Sequence, residues 1–301
     1  MSTATEITSS DGVRLAVYRE GAPDAPTVVA IHGYPDNARV WDGVAGLLAE
    51  RFEVVRYDVR GTGGSDKPAG RAAYRLDRLE ADFTAVIDAL SPQRPVHVLA
   101  HDWGSVQAWH FVTSPALHGR IASFTSISGP ALDHIGPWLQ ANLTRPAGLQ
   151  KVLGQALHSY YIALFKLPGL AEAGWRTGLI DAALNRGDRP GAGAHRSWAD
   201  KVNGLQLYRA NLLTRHRPAA GTRRRTDVPV QVLAPTSDPF VSAAVQLEAP
   251  GPFVPNLYSR SIRGGHWILT SEPAAIAEAA AELIELVEYG RPAANLNKVG
   301  D

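Results

Sequence analysis

The chain has 301 residues, 45% of them hydrophobic and 20% charged, with a formal net charge of +1. That is enough for one large α/β unit or two ordinary domains with a well-buried core, and a composition this close to the globular average excludes collagen-like, disordered and coiled-coil architectures. Near-neutrality gives no overall bias toward nucleic acid, and the absence of cysteine removes disulfides, thiolate metal sites and thiol nucleophiles.

The opening stretch MSTATEITSSDGVR has neither the basic start nor the apolar core of a secretory signal. No apolar run approaches the roughly 20 residues of a membrane span. The expectation is a soluble, cytoplasmic protein. Two short runs, Glu6–Thr8 and Val13–Arg19, flank Asp11-Gly12 and predict a hairpin. Thr27–Ile31 is a β-branched run of the kind a buried central strand shows. Phe52–Val59, Val96–Ala100, Ile121–Ser128, Val228–Ala234 and Leu257–Ile262 predict further strands. Helices are predicted over Trp41–Glu50, Leu76–Leu90, Ser105–Thr113 and Pro273–Tyr289, the last opening on proline and closing at Gly290. Apolar strands alternating with helices predict an α/β fold with a mostly parallel sheet.

The alternation stops between residues 131 and 226, where amphipathic pieces at Trp138–Phe165, Trp175–Asn185 and Ser197–Thr214 predict a helical insertion. The domain division expected is a discontinuous core, 1–130 and 227–301, with a helical cap over 131–226. The insertion carries 14 Lys and Arg against 5 Asp and Glu, a net of +9; the remainder carries 16 against 24, a net of −8. Attraction between the two parts is the expected use of that charge, ahead of anion binding. Arg223–Arg225 reads as a solvated linker.

The strand ending at Ala100 runs into His101-Asp102-Trp103-Gly104 and then a helix, the strand–sharp turn–helix setting of a nucleophile elbow, with Ala100 and Gly104 as its small residues. A carboxylate occupies the nucleophile position. With an ordinary pKa of about 3.9, Asp102 is ionised at neutral pH and needs no base to attack a strained or activated carbon. The competing reading is an N-cap for the helix. A serine esterase would have to use Ser105, which falls inside that helix.

His32-Gly33-Tyr34-Pro35 leaves the predicted central strand, where a Gly-containing loop can aim backbone amides into a cleft. The Tyr34 and Trp103 amides are therefore the candidate oxyanion hole. Asp58–Ser65 is glycine-rich but lacks phosphate-loop or dinucleotide spacing, and predicts a structural turn in which Asp58 and Arg60 pair. Asp238 and His266 fall just after the last two strands, where open α/β sheets place their sites. The order Asp102, Asp238, His266 is the nucleophile–acid–base order of a hydrolytic triad, with His266 activating water and Asp238 holding its tautomer. His97 and His110 read as packing residues, and no pair among the ten histidines has metal-ligand spacing.

On HGYP, DVRGTGGSD, AHDWGS, SDP and GGHW, the chain resembles the α/β-hydrolase superfamily over nearly its whole length, and within it the epoxide hydrolases. The stretch YYIALFKLPG resembles the family's first cap-tyrosine motif and LQLYRANL the second, which implies catalytic roles for Tyr161 and Tyr208 but not Tyr160. The chain also resembles the hydrolase domain of an actinobacterial type joined to a C-terminal short-chain dehydrogenase; here it ends at GRPAANLNKVGD, as a stand-alone relative or a portion of a longer chain. Ala100, where many relatives have glycine, is a departure. The resemblance implies opening of an epoxide through an ester on Asp102, with His32, Pro35, Trp103 and Trp267 contacting substrate. It implies a small-molecule epoxide as partner, a monomer or homodimer, and neither cofactor nor metal. The alternatives are a haloalkane or haloacid dehalogenase with the same nucleophile, and a non-catalytic ligand-binding relative. The basic insertion raises a side expectation of a carboxylate-bearing or carrier-tethered substrate.

Overall fold

A computed structural model describes residues 3–185, 195–212 and 225–300. Eight strands, β1 (Thr3–Thr8), β2 (Arg14–Glu20), β3 (Thr27–Ile31), β4 (Glu53–Tyr57), β5 (Val96–His101), β6 (Ile121–Ile127), β7 (Val230–Pro235) and β8 (Leu257–Ile262), form one sheet in the order β1-β2-β4-β3-β5-β6-β7-β8. β1/β2 and β2/β4 are antiparallel and every other pairing is parallel. The helices are α1 (Asp42–Leu48), α2 (Leu76–Leu90), α3 (Trp103–Val112), α4 (Leu132–Leu143), α5 (Pro146–His158), α6 (Tyr160–Lys166), α7 (Leu170–Arg176), α8 (Leu179–Asn185), α9 (Trp198–Asn211), α10 (Ala243–Glu248), α11 (Ile268–Ser271) and α12 (Pro273–Tyr289). No helix among the described residues is long and apolar enough to cross a membrane.

The strands of the centre are buried at every position, as unbroken apolar runs require when helices cover both faces. From β3 the chain steps one way to β4, then crosses back past β3 to β5. Right-handed crossovers place the helices of opposite steps on opposite faces; α1 packs with α12, and α2 with α3. The reversal leaves a crevice at the carboxyl ends of β3 and β5, the point where such sheets bind ligands.

Between β6 and β7 the described elements are all helical, α4 to α9. The predicted single piece Trp138–Phe165 is three helices, because Pro146 lacks the N–H needed to continue α4 and a further break falls at Ser159. Trp175–Asn185 likewise divides at Gly178, whose φ is +74. α10 and α11 were not predicted; at six and four residues they are too short to show periodicity. The end of the predicted Ser197–Thr214 piece, with Arg223 and Arg224, lies outside the described residues. Among the described residues, ion pairs joining the helical segment to the rest of the fold include Arg196–Asp36 (2.6 Å, both buried), in the loop after β3, and Lys151–Glu248, at the end of α10. Lys201–Asp181 and Arg209–Glu172 stay within the segment.

Asp58–Ser65 forms a turn, but the predicted Asp58–Arg60 pair does not form. Asp58 accepts from the Ala38 and Gly64 amides (2.8 and 2.7 Å) and the Tyr18 hydroxyl (3.0 Å). Arg60 is buried with its fork on Asp82 (2.7 and 2.5 Å) and on Asp11 (2.9 and 3.1 Å), tying the β1–β2 turn to α2. A guanidinium has five donors, and two carboxylates plus the Ala73 carbonyl satisfy them better than one already-engaged neighbour. Burial raises the Asp82 pKa against the opposing pull of Arg60. Arg60→Ala strands that carboxylate in the core, so a loss of about 3–5 kcal/mol is expected from urea midpoints, with Arg60→Lys recovering only part.

Candidate active site

β5 ends at His101 and α3 begins at Trp103, so Asp102 alone makes the turn, at φ +50 and ψ −121. A non-glycine residue held there costs on the order of 1–3 kcal/mol and persists only where its surroundings impose it. They do so here. The Asp102 amide donates to Ile127 (2.9 Å) and its carbonyl accepts from Val106 (3.0 Å), fastening both sides of the bend. A Cβ on Gly104 would lie 2.2 Å from the Ile31 carbonyl, so only glycine lets α3 start against the end of β3. Ala100 is fully buried in the strand. The Asp102 side chain makes no capping bond to α3, which removes the N-cap reading.

Its carboxylate instead accepts the Tyr34 amide (2.7 Å to Oδ2), with the Trp103 amide beside it. Nε2 of His266 lies 3.7 Å from the other oxygen, Oδ1. On the far side of the ring, Nδ1 is 3.0 and 3.1 Å from the two oxygens of Asp238, which also accepts the Phe240 and Val241 amides (2.8 and 3.1 Å). Burial pushes the Asp102 pKa up to about 6 despite the His266 charge and the two amides. Burial opposes ionisation of Asp238 as well, but the His266 charge and hydrogen bond outweigh it and the pKa falls. For His266, burial disfavours the cation, yet Asp238 and then Asp102 raise its pKa above the ordinary value. The arrangement leaves a carboxylate with a free attacking face and a histidine oriented to take a proton.

These groups open into a narrow cleft. Tyr161 and Tyr208, from α6 and α9, face Asp102 and His266 across it, and Pro35, Phe165, Leu184, Phe240 and Trp267 complete an apolar wall. The two tyrosine rings meet edge-on, 6.0 Å between centroids. Burial raises both phenol pKa values, so both remain protonated. Tyr160, the neighbour without an assigned role, is exposed.

Two residues expected to contact substrate lie elsewhere. His32 is not in the cavity wall: its Nδ1 donates to the Gly33 carbonyl (2.9 Å) and its Nε2 accepts the Val59 amide (2.9 Å), so both nitrogens hold adjacent loops. The Trp103 side chain packs edge-on against Tyr208, 4.9 Å between centroids, and is not in the cavity wall. Ser105 is buried in α3 on Ser126 and the Gly129 carbonyl, away from any nucleophilic role. His97 and His110 do more than pack, bonding Ser123 with Glu288, and Glu80, respectively.

Other residues of the site carry no motif signal. Asp36 accepts from the Trp267 indole (2.7 Å) and from Arg196, whose guanidinium sits 4.5 Å over the Trp267 ring. His101, buried beside His266, is bonded through Nε2 to its carbonyl (2.9 Å), and burial lowers its pKa to about 3, so it is neutral. Their positions, next to Pro35 and to Asp102, are the only hint the sequence offers.

Residues 26–273 match the family model described as alpha/beta hydrolase fold. Over 300 residues the chain is 41% identical to a Mycobacterium tuberculosis protein named "Probable oxidoreductase EphD", covering 95% of this chain and 50% of that one. It is 35% identical over 176 residues to "Epoxide hydrolase A" of the same organism, 58% of this chain and 51% of that protein. The chain thus spans about half the length of the curated relatives it matches. Among solved structures, an epoxide hydrolase from hot-environment metagenomes shares the fold at TM-score 0.75 and 24% identity, over 97% of this chain and 100% of that one. VrEH1 of Vigna radiata does so at 0.75 and 22%, over 94% and 98%.

Proposed function

The chain belongs to the α/β-hydrolase fold family, and on that fold we propose that it hydrolyses epoxides to vicinal diols through a covalent ester on Asp102. The observation that carries this reading is the pair of protonated tyrosines facing an aspartate at the nucleophile elbow across one apolar cleft. The elbow, the histidine and the second aspartate suit many acyl and alkyl transfers. Two phenols opposite the nucleophile suit a leaving group that departs as an alkoxide on the same molecule.

Asp102 attacks one epoxide carbon as the C–O bond breaks, while Tyr161 and Tyr208 hydrogen-bond the ring oxygen and one supplies the proton it gains. The bond formed joins an Asp102 carboxylate oxygen to the epoxide carbon, giving an ester whose acyl carbon is the Asp102 carboxyl carbon. His266 then takes a proton from water, whose oxygen adds to that carbon. The Tyr34 and Trp103 amides, already at the Asp102 carboxylate, receive the oxyanion. Collapse releases the diol and regenerates the carboxylate. Asp238 holds the histidine tautomer and stabilises its cation. The domain division that goes with this reading is a core of 1–130 and 227–301 with 131–226 as cap.

Among the described residues no lysine or arginine lines the cleft, and Lys166, Arg196, Lys201 and Arg209 are engaged by carboxylates or carbonyls. A neutral, apolar epoxide therefore fits better than a carboxylate-bearing one. The dehalogenase alternative needs donors for a leaving halide, and the Trp103 ring that would serve packs against Tyr208 outside the cavity wall. The relative named an oxidoreductase is twice as long, and the proposal concerns only the residues aligned here.

A panel of terminal and disubstituted epoxides, assayed for diol by chromatography, tests the reading; release of halide from haloalkanes without diol from any epoxide would overturn it. Tyr161→Phe and Tyr208→Phe are each expected to slow ring opening by about 10–100-fold and together by about 10³-fold or more, the range of a positioned general acid. Single-turnover rates would show it, with hydrolysis of the preformed ester little changed.

A further inference from the structure

Tyr34 enters the reading above only through its backbone amide, yet its side chain is 5% exposed and fully engaged. Its hydroxyl accepts from the Trp175 indole of α7 (2.7 Å) and donates to the Lys201 carbonyl of α9 (2.8 Å). Its ring meets those of Phe165 and Tyr208 edge-on, each at 5.4 Å between centroids. α9 comes this close because residue 204 is glycine: a Cβ there would lie 2.3 Å from the Tyr34 ring. Lys201 lies two turns before Tyr208 on the same helix, and its ammonium crosses the Trp175 ring (5.1 Å) to Asp181 on α8. Three helices of the segment thus converge on one side chain of the β3–α1 loop.

We propose that the Tyr34 phenol is a positioning group that sets the distance between the ring-opening tyrosine Tyr208 and the nucleophile Asp102. The same residue holds Asp102 Oδ2 by its amide and α9 by its hydroxyl, so acid and nucleophile are referenced to one rigid point. A phenol is suited to this: it is a donor and an acceptor at the end of a stiff ring, and burial keeps it protonated. A phenylalanine would preserve the amide and most of the packing but would leave a buried indole N–H without its partner and remove the tether to the Lys201 carbonyl, freeing α9 to shift. The inference rests on the ester mechanism proposed above and adds to it a residue that acts on one step only.

The test is single-turnover kinetics of the full chain with a terminal epoxide, following mass gain on Asp102 and its decay separately. Tyr34→Phe is expected to slow ring opening about tenfold, as sub-ångström misplacement of a proton donor does, while ester decay changes by less than about twofold. In a Tyr208→Phe background the same substitution should add little, because the group it positions is gone. Equal slowing of both steps, unchanged ring opening, or additive losses in the double variant would overturn the proposal. If Tyr34→Phe does not fold, Trp175→Phe removes the donor to the phenol and is judged by the same split. Wild-type protein that gains no substrate mass on Asp102 would overturn the ester reading and this inference with it, whereas a normal wild-type ester with no effect of Tyr34→Phe would overturn the inference alone.

Discussion

Asp102→Asn is expected to reduce epoxide turnover by about 10⁴-fold or more, the scale of losing a covalent nucleophile whose partners cannot replace it. The amide keeps the size of the side chain and the bend at φ +50, so the circular dichroism spectrum and unfolding midpoint should change little. It loses the charge that attacks. Mass spectrometry should show no substrate adduct, and any slow recovery of activity should track deamidation back to aspartate. The wild-type pH profile has a related sign. Burial raises the Asp102 pKa to about 6, so the attacking carboxylate is present above that pH and protonated below it. Ring opening should therefore fall about tenfold per unit as pH drops below about 6, a higher onset than an exposed aspartate would give. A rate flat down to pH 4.5 would contradict this assignment.

His266→Gln should separate the two steps. Ring opening needs the carboxylate and the tyrosines, so the variant should gain the mass of one substrate on Asp102. Ester hydrolysis needs a base, and its loss is expected to slow turnover by about 10²–10⁴-fold. The imidazole also carries charge that lowers the Asp102 pKa. Without it the acid limb of ring opening should move to higher pH, a shift that loss of a general base alone would not produce. Intact-protein spectra without an adduct after minutes of incubation would sink the mechanism.

How much of this was legible from residue order differs by element. A mostly parallel α/β sheet was legible because Thr27–Ile31 and Val96–Ala100 are apolar runs that a doubly covered sheet explains, while the α/β-hydrolase form of it came only from resemblance. Asp102 and His266 were legible because the elbow needs small residues at fixed offsets and because triad members follow strand ends. Tyr161 and Tyr208 were legible only through resemblance, since a tyrosine on an amphipathic helix looks the same whether it donates a proton or packs. His32 and Trp103 were placed in contact with substrate on motif position alone, and Arg60 was paired with its nearest acidic neighbour. All three find other partners in three dimensions: the Val59 amide, the Tyr208 ring, and Asp82 with Asp11. Among the described residues the opposite charges of the two parts meet in bridges such as Arg196–Asp36, outside the cleft lining.

By itself the sequence determined the sheet, the turn that presents Asp102 and the order of the triad, because apolar periodicity and the steric needs of a sharp bend are local and are written in neighbouring residues. The tertiary structure alone decided which groups face the cleft, that Asp102 is buried enough to titrate near 6, and that the Tyr34 phenol ties α7 and α9 to the nucleophile's loop. Those outcomes depend on desolvation and on hydrogen bonds between residues up to 167 positions apart. A buried donor or acceptor takes whichever partner the packed fold brings within about 3 Å, and no local pattern specifies that partner.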